Sequence, residues 1–175
     1  MDLKAKIEQA KKDIVSDDWE TRMAASDFLS ENGTPEVKGF LISLLSSSEQ
    51  LTRDAAALAI REIGDNNAIN PLLTAIFKKE NIHNNGTLVY ALQTLDCSKK
   101  LKELFEILFY HDYEAQVMAD MILDKQEFEF TKQDILDIEA EWEGIKIHSE
   151  KCPNYGDSKE TIQSSIDGFL TYLER

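Results

Sequence analysis

A set of small and apolar residues recurs in this chain every 31 to 32 positions, and that recurrence narrows the possible folds more than any other feature. Within Leu51 to Glu80, Ala56, Ala57, Ile60 and Ile63 fall three and four residues apart, the spacing that puts side chains on one helix face. Leu72, Leu73 and Ile76 do the same on a second helix. Gly64 between them suits a left-handed helix stop, and Asp65 can cap the next helix through its side-chain oxygen. Shifted back by 31 residues, Arg22 stands for Arg53, Ala25 for Ala56, Phe28-Leu29 for Ala59-Ile60 and Gly33 for Gly64. The second helix keeps the offset, with Val37 for Ala68, Leu41-Ile42 for Leu72-Leu73 and Leu45 for Ile76. Shifted forward by 32, Ala91-Leu92, Leu95, Leu104-Phe105 and Leu108 fall in register, with Asn85 at the arginine position and Asp96 at the glycine. A fourth copy is degenerate: Met118, Ala119 and Ile122 hold first-helix positions, but Lys125 falls where Ile63 would. One helix pair cannot bury its own apolar face, so such pairs must stack.

The layout (Arg, small apolar pair, Ala-Ile, Ile-Gly-Asp, then Ala-Ile-x-Pro-Leu-Leu) resembles a HEAT repeat. Within that family it is most similar to the short variety of phycobilisome-lyase-like bacterial proteins. The resemblance implies an all-α fold, an α-solenoid of three to four antiparallel helix pairs capped by helices at both ends. A single domain over 1–175 is expected, with a capping helix at 1–16 and repeats at 17–46, 49–79 and 83–110. A degenerate repeat follows at 112–150, then a C-terminal capping helix at 157–175. In HEAT arrays the arginine, with the Asp after the Ile-Gly step, often ties adjacent repeats together. Carried over, this implies structural roles for Arg53 and Asp65, and for Arg22 one repeat earlier, where Thr34 stands at the position of Asp65.

Local signals set the element boundaries. A first helix is expected from Leu3 to Val15, with Leu3, Ile7, Ala10 and Ile14 as a thin apolar stripe. Its polar outer face suits the lid of an array. Asp17, with Glu20 as capping-box partner, is expected to start the next helix. Thr34-Pro35-Glu36 reads as N-cap, N1 and N2. Pro71 falls near a first turn, where its missing N–H costs little. The helix Lys99 to Tyr110 carries Leu101, Leu104, Phe105 and Leu108 inward. Ile107, Phe109 and Tyr110 are too many for that face. Either a following helix covers them or they form an exposed patch, and the long tail that follows favours coverage. Thr131 with Asp134 starts a helix to about Ser149 on which Ile135, Ile138, Trp142 and Ile145 share an arc of about 80°. Cys152 to Gly156 is a turn, and Asp157 with Glu160 is expected to cap a last helix carrying Ile162, Ile166, Phe169, Leu170 and Leu173 inward.

Charge is the compositional outlier. Of 33 acids and 19 bases, residues 1–110 hold 17 and 13, so that 111–175 carry −10 of the net −14. A polyanion repels a phosphate backbone, which argues against nucleic acid and for a basic protein as partner. No window approaches the ~18 uninterrupted apolar residues of a membrane helix. The N-terminus has no signal-peptide core, and Cys97 and Cys152 lie 55 residues apart with no CxxC. A reduced pair and a cytoplasmic protein, monomeric when unbound, are therefore expected, and the family resemblance implies a bacterial one.

No catalytic constellation emerges. There is no phosphate-cradling glycine loop, HExxH, Cys/His ligand set or nucleophile with a base, so neither enzyme activity nor a cofactor or metal is expected. The three serines 46–48 read as a loop, and His83 as surface decoration. His111 beside Asp112 is a turn residue whose neighbour points elsewhere. Binding is the expected mechanism. Candidate partner contacts are Glu103, Glu106 and Tyr110 with Asp134, Asp137, Glu141 and Trp142, an aromatic anchor ringed by carboxylates. Small acidic binders of this kind resemble immunity proteins that cover the active site of a basic toxin such as a nuclease. A generic cytoplasmic scaffold or adaptor is the alternative, and a bilin-lyase-like protein a more distant one. The related alkylpurine glycosylases need a basic groove, which the acidic tail argues against.

Overall fold

Side chains start and stop the helices largely where the spacing requires. In the computed structural model, residues 2–173 are described, and they form ten α-helices with three short 3-10 turns and no strand. The chain divides into two compact units, 1–95 and 96–175. The boundary falls inside the stretch expected as the third repeat, between its two helices.

Unit 1 contains α1 (Leu3–Asp13), α2 (Trp19–Glu31), α3 (Pro35–Leu44), α4 (Gln50–Ile63), α5 (Ile69–Ile76) and α6 (Gly86–Leu92). The first helices of successive pairs pack side by side, α2 on α4 and α4 on α6, while α3 packs on α4 and α5 on α6. That is the stacking of a solenoid. The repeat positions form the core: Ala25, Leu29, Val37, Leu41 and Leu45 are buried, as are Ala56, Ile60, Ala68, Leu72, Leu73 and Ile76. The α1 stripe is thinner than expected, with Ala10 and Ile14 buried but Leu3 exposed.

In unit 1 the cap of α2 is shifted by one residue from its expected place. Thr34 caps α3, accepting the Val37 N–H at 3.3 Å with Pro35 at the first helical position. At α2 the cap is Asp18 rather than Asp17: its carboxylate accepts the Thr21 N–H at 2.8 Å. Ser16 Oγ accepts the Asp18 N–H, and the Arg22 guanidinium reaches back to the Ser16 carbonyl, so the turn is pinned one residue later. Thr21 then occupies N3, and Glu20 cannot close a capping box.

The two repeat glycines do different work. Gly64 has φ +67°, the left-handed stop that a side chain would strain. Gly33 is not left-handed; a Cβ there would meet Ile63 at 3.1 Å, so it lets α4 of the next pair come close. Asp65 then caps the turn Asn66–Ala68, accepting the Asn67 N–H at 3.0 Å.

Arg22, Arg53 and Asn85 share one register and one task. Arg22 Nε donates to the Ser16 carbonyl at 2.9 Å, Arg53 Nη1 to the Ser47 carbonyl at 2.9 Å, and Asn85 Nδ2 to the Ile76 carbonyl at 2.9 Å. Each ties down backbone carbonyls that precede its own helix. Arg53 and Asp65 are therefore both structural without pairing to each other. Asp65 instead takes Lys38 of the preceding pair at 2.7 Å, and Arg22 reaches forward to Glu49 at 3.0 Å and Thr52 at 3.3 Å.

Unit 2 contains α7 (Leu101–Tyr110), α8 (Tyr113–Lys125), α9 (Lys132–Ile147) and α10 (Tyr155–Leu173). Both α7 and α10 pack on α8 and on α9. Ile107 and Phe109 are fully buried, so following helices do cover the excess apolar groups of α7. The last helix begins at Tyr155, two residues before the expected Asp157 cap. Asn154, with φ +57°, turns the chain and offers its carbonyl to the Asp157 and Ser158 N–H groups. Asp157 thus lies inside the first turn, where its charge suits the helix N-terminus. Cys97 and Cys152 are both free and buried, and burial pushes the Cys97 thiol up to about 12.

Candidate functional site

Two helices of unit 2 supply every residue that the sequence nominates. Thr131 and Asp134 start α9 with a reciprocal capping box: Thr131 Oγ1 accepts the Asp134 N–H, and the Asp134 carboxylate accepts the Thr131 N–H at 2.8 Å. From there Asp134, Asp137 and Glu141 recur at helical spacing along the flank that meets α7. Lys102 of α7 bridges to Asp134 at 2.8 Å and to Asp137 at 3.1 Å. One turn pair further on, the Tyr110 hydroxyl donates to Glu141 at 2.7 Å. Glu103, Glu106 and Tyr110 therefore share one α7/α9 face with Asp134, Asp137 and Glu141.

The charge on this face is uneven. Lys102 and Thr131 hold the Asp134 carboxyl far below the usual range, while the hydrogen bond from Gln133 and then Lys102 lower Asp137. Glu103 takes Lys100 at 3.2 Å. Glu106 behaves in the opposite way: burial, then the charges of Glu141 and Glu103, raise it. Among the described residues no cation pairs with Glu106 or Glu141. Uncompensated negative charge thus gathers at Glu106 and Glu141, and not along the whole ridge. Burial, and then the hydrogen bond it donates to Glu141, push the Tyr110 hydroxyl up to about 12, so it stays a donor.

Trp142 is a correction to the expected anchor. It is 1% exposed and cannot meet a partner from the surface. Its ring stacks on Phe109 with centroids 5.8 Å apart and 11° between planes, and its Nε1 donates to Gln163 at 2.9 Å. The same α9 arc that looks like an anchored ridge in sequence is the one that closes the core, because α7 and α10 both meet it.

Several polar residues with structural duties carry weaker sequence signals. Asn81 Nδ2 donates to the Ala75 carbonyl at 2.8 Å, so the polar turn before α6 closes the end of α5. Gln116, buried in α8, donates to the carbonyls of Leu108 and Pro153 at 2.8 and 3.0 Å and ties α7 to the turn before α10. A glutamine at an otherwise apolar helical position is the only hint of that role.

His111 is 2% exposed, and burial lowers it to about 4 against a smaller opposing pull from Asp112. In the unfolded chain a histidine titrates near 6.5. With the folded value below the unfolded one, its contribution is intact above about pH 6.5 and is lost as pH falls toward 4. A loss of roughly 2–3 kcal/mol over that window is expected. Urea unfolding at pH 7 and 4.5 measures it, and His111→Gln should flatten the slope. The lowered carboxylates, Asp65 and Glu49 among them, act in a lower window, losing their contribution below about pH 4.

Among the described residues no group of three or more His, Cys, Asp or Glu side chains is placed to hold a metal ion. None of their helices is long and apolar enough to cross a membrane. Stacked helix pairs with carbonyl-tying Arg and Asn residues define an α-solenoid of interaction-repeat type. Residues 7–82 match the family model of HEAT repeats. No curated protein matches the chain.

Proposed function

We propose that the chain is a non-enzymatic, cytoplasmic protein-binding module, a single 175-residue domain, monomeric when unbound, whose partner is a basic protein. HEAT repeats suit protein interaction. The observation that carries the partner's sign is the convergence of Glu103, Glu106, Asp134, Asp137 and Glu141 on one α7/α9 face. Unit 2 as a whole supports it, since 96–175 hold 19 acids and 9 bases and so −10 of the net −14. Such a field steers a cationic surface into encounter and repels nucleic acid. The particular reading is an immunity protein that neutralises a basic toxin, for example a nuclease, by direct binding; an adaptor that assembles other proteins is the second.

The test is affinity capture with the wild-type chain beside the double variant Glu106→Lys/Glu141→Lys. A basic partner should be retained by the wild type, with an association rate that falls about tenfold or more between roughly 50 and 300 mM salt. The double variant should lose that partner. Asp134→Lys should weaken it less, because Lys102 already neutralises that carboxylate. Equal retention by both chains rules out the α7/α9 face. Stoichiometric loss of the partner's own nuclease activity separates inhibitor from adaptor.

A further inference from the structure

Unit 2 has a second surface that the α7/α9 face does not use. Between α8 and α9 the sequence alternates Glu127-Phe128-Glu129-Phe130, and both rings turn to α10. Phe128 and Phe130 meet Phe169 edge-on, with centroids 5.8 and 5.5 Å away, and Phe169 meets Phe105 of α7 at 5.7 Å. Only Phe105 of these four is fully buried; the other three rings keep part of their area in water. They floor a groove of about 890 Å³ between α8 and α10. Tyr172, 65% exposed, stands at its end. Gly168 forms part of the wall, and a Cβ built on it would meet nothing within 4 Å. Among the described residues that line it, Asp120, Asp124, Glu127 and Glu160 stand against a single cation, Lys125.

We propose that this groove binds a basic amphipathic segment of another protein, seating its apolar side chains on Phe128, Phe130 and Phe169 and its lysines or arginines on the rim carboxylates. An aromatic floor left partly wet gains free energy when an apolar side chain covers it. Laying an amphipathic segment into an apolar groove is a recurrent mode of recognition. The rim decides the sign of the occupant. A second copy of this chain would bring the same net −14 to a rim that is already negative. An uncharged small molecule would cover the floor and leave the carboxylates without cations. A basic segment satisfies both.

The inference does not rest on the α7/α9 reading, and one titration separates them. The probe is a short fluorescein-labelled helical peptide of leucine and lysine, with a leucine and glutamate peptide as control, read by fluorescence anisotropy against the full chain. The lysine peptide should bind and the glutamate peptide should not. Gly168→Leu, which fills the groove, and the double variant Asp124→Lys/Glu127→Lys should each weaken binding about tenfold or more. Glu106→Lys/Glu141→Lys should leave it within about twofold. Circular dichroism and the thermal midpoint keep the result interpretable, because leucine at an exposed helical glycine position raises helix propensity. Unchanged binding by Gly168→Leu overturns the proposal. So does an equal loss in the α7/α9 variant, which would mean attraction to bulk charge alone. Sedimentation showing a dimer that Gly168→Leu dissociates also overturns it, by placing a second copy in the groove.

Discussion

Replacing Arg22 by alanine is expected to destabilise unit 1 by about 2–4 kcal/mol, which lowers its thermal midpoint by on the order of 10 °C. Arg22 is 1% exposed yet keeps bonds to the Ser16 carbonyl behind it and to Glu49 and Thr52 ahead. Alanine leaves a cavity the size of an arginine side chain and strips the part-buried Ser16 carbonyl and the buried Thr52 hydroxyl of a charged donor. The ion pair is the smaller part of the effect, because the Glu49 side chain is 45% exposed and water can replace its partner. Glu49→Gln should therefore cost far less than Arg22→Ala, and lysine at position 22 should recover only part of the loss, lacking the planar fork that serves three acceptors. A loss confined to the ion pair, equal in Arg22→Ala and Glu49→Gln, would show that the carbonyl tie contributes nothing.

Trp142→Ala is expected to lower the stability of unit 2 by about 3–5 kcal/mol, while Trp142→Phe keeps most of it. The indole is enclosed between Phe109 and Tyr155, with centroids 5.8 and 5.7 Å away, and its N–H is satisfied by Gln163. Phenylalanine preserves the stack and loses the hydrogen bond, worth about 1 kcal/mol. Fluorescence reads both units, because the chain has two tryptophans. Trp142 is buried in unit 2, and Trp19 is 55% exposed in unit 1. Denaturant titrations of Trp142→Phe should retain only the red-shifted Trp19 signal, which follows the unit that Arg22 supports. If Trp142→Ala abolished partner binding with its midpoint unchanged, the residue would be a contact after all and its burial in the free protein would have to be transient.

The residues nominated at the α7/α9 face illustrate how far a one-dimensional pattern reaches. Helical spacing puts Asp134, Asp137 and Glu141 on a common flank, and the structure sets that flank against Glu103, Glu106 and Tyr110. Spacing says nothing of compensation, which depends on Lys102 projecting across from another helix. It also cannot tell a surface aromatic from a core one when carboxylates border both. The Phe128-Phe169-Phe130 cluster was out of reach for a related reason. Two phenylalanines in a non-helical stretch acquire meaning only once α10 is laid beside them.

The sequence by itself determined that this chain stacks helix pairs: the 31-residue recurrence, the Thr34-Pro35 start, the Gly64 stop and the Thr131/Asp134 box are local or periodic, and short-range chemistry enforces each. Tertiary structure alone decided which neighbour each charge answers to. Asp65 meets Lys38 and not Arg53, Gly33 makes room for Ile63, and the negative charge of α7 and α9 remains only where no lysine arrives. Those outcomes turn on distances between helices far apart in the chain, and Coulomb and packing energies depend on such distances rather than on sequence order.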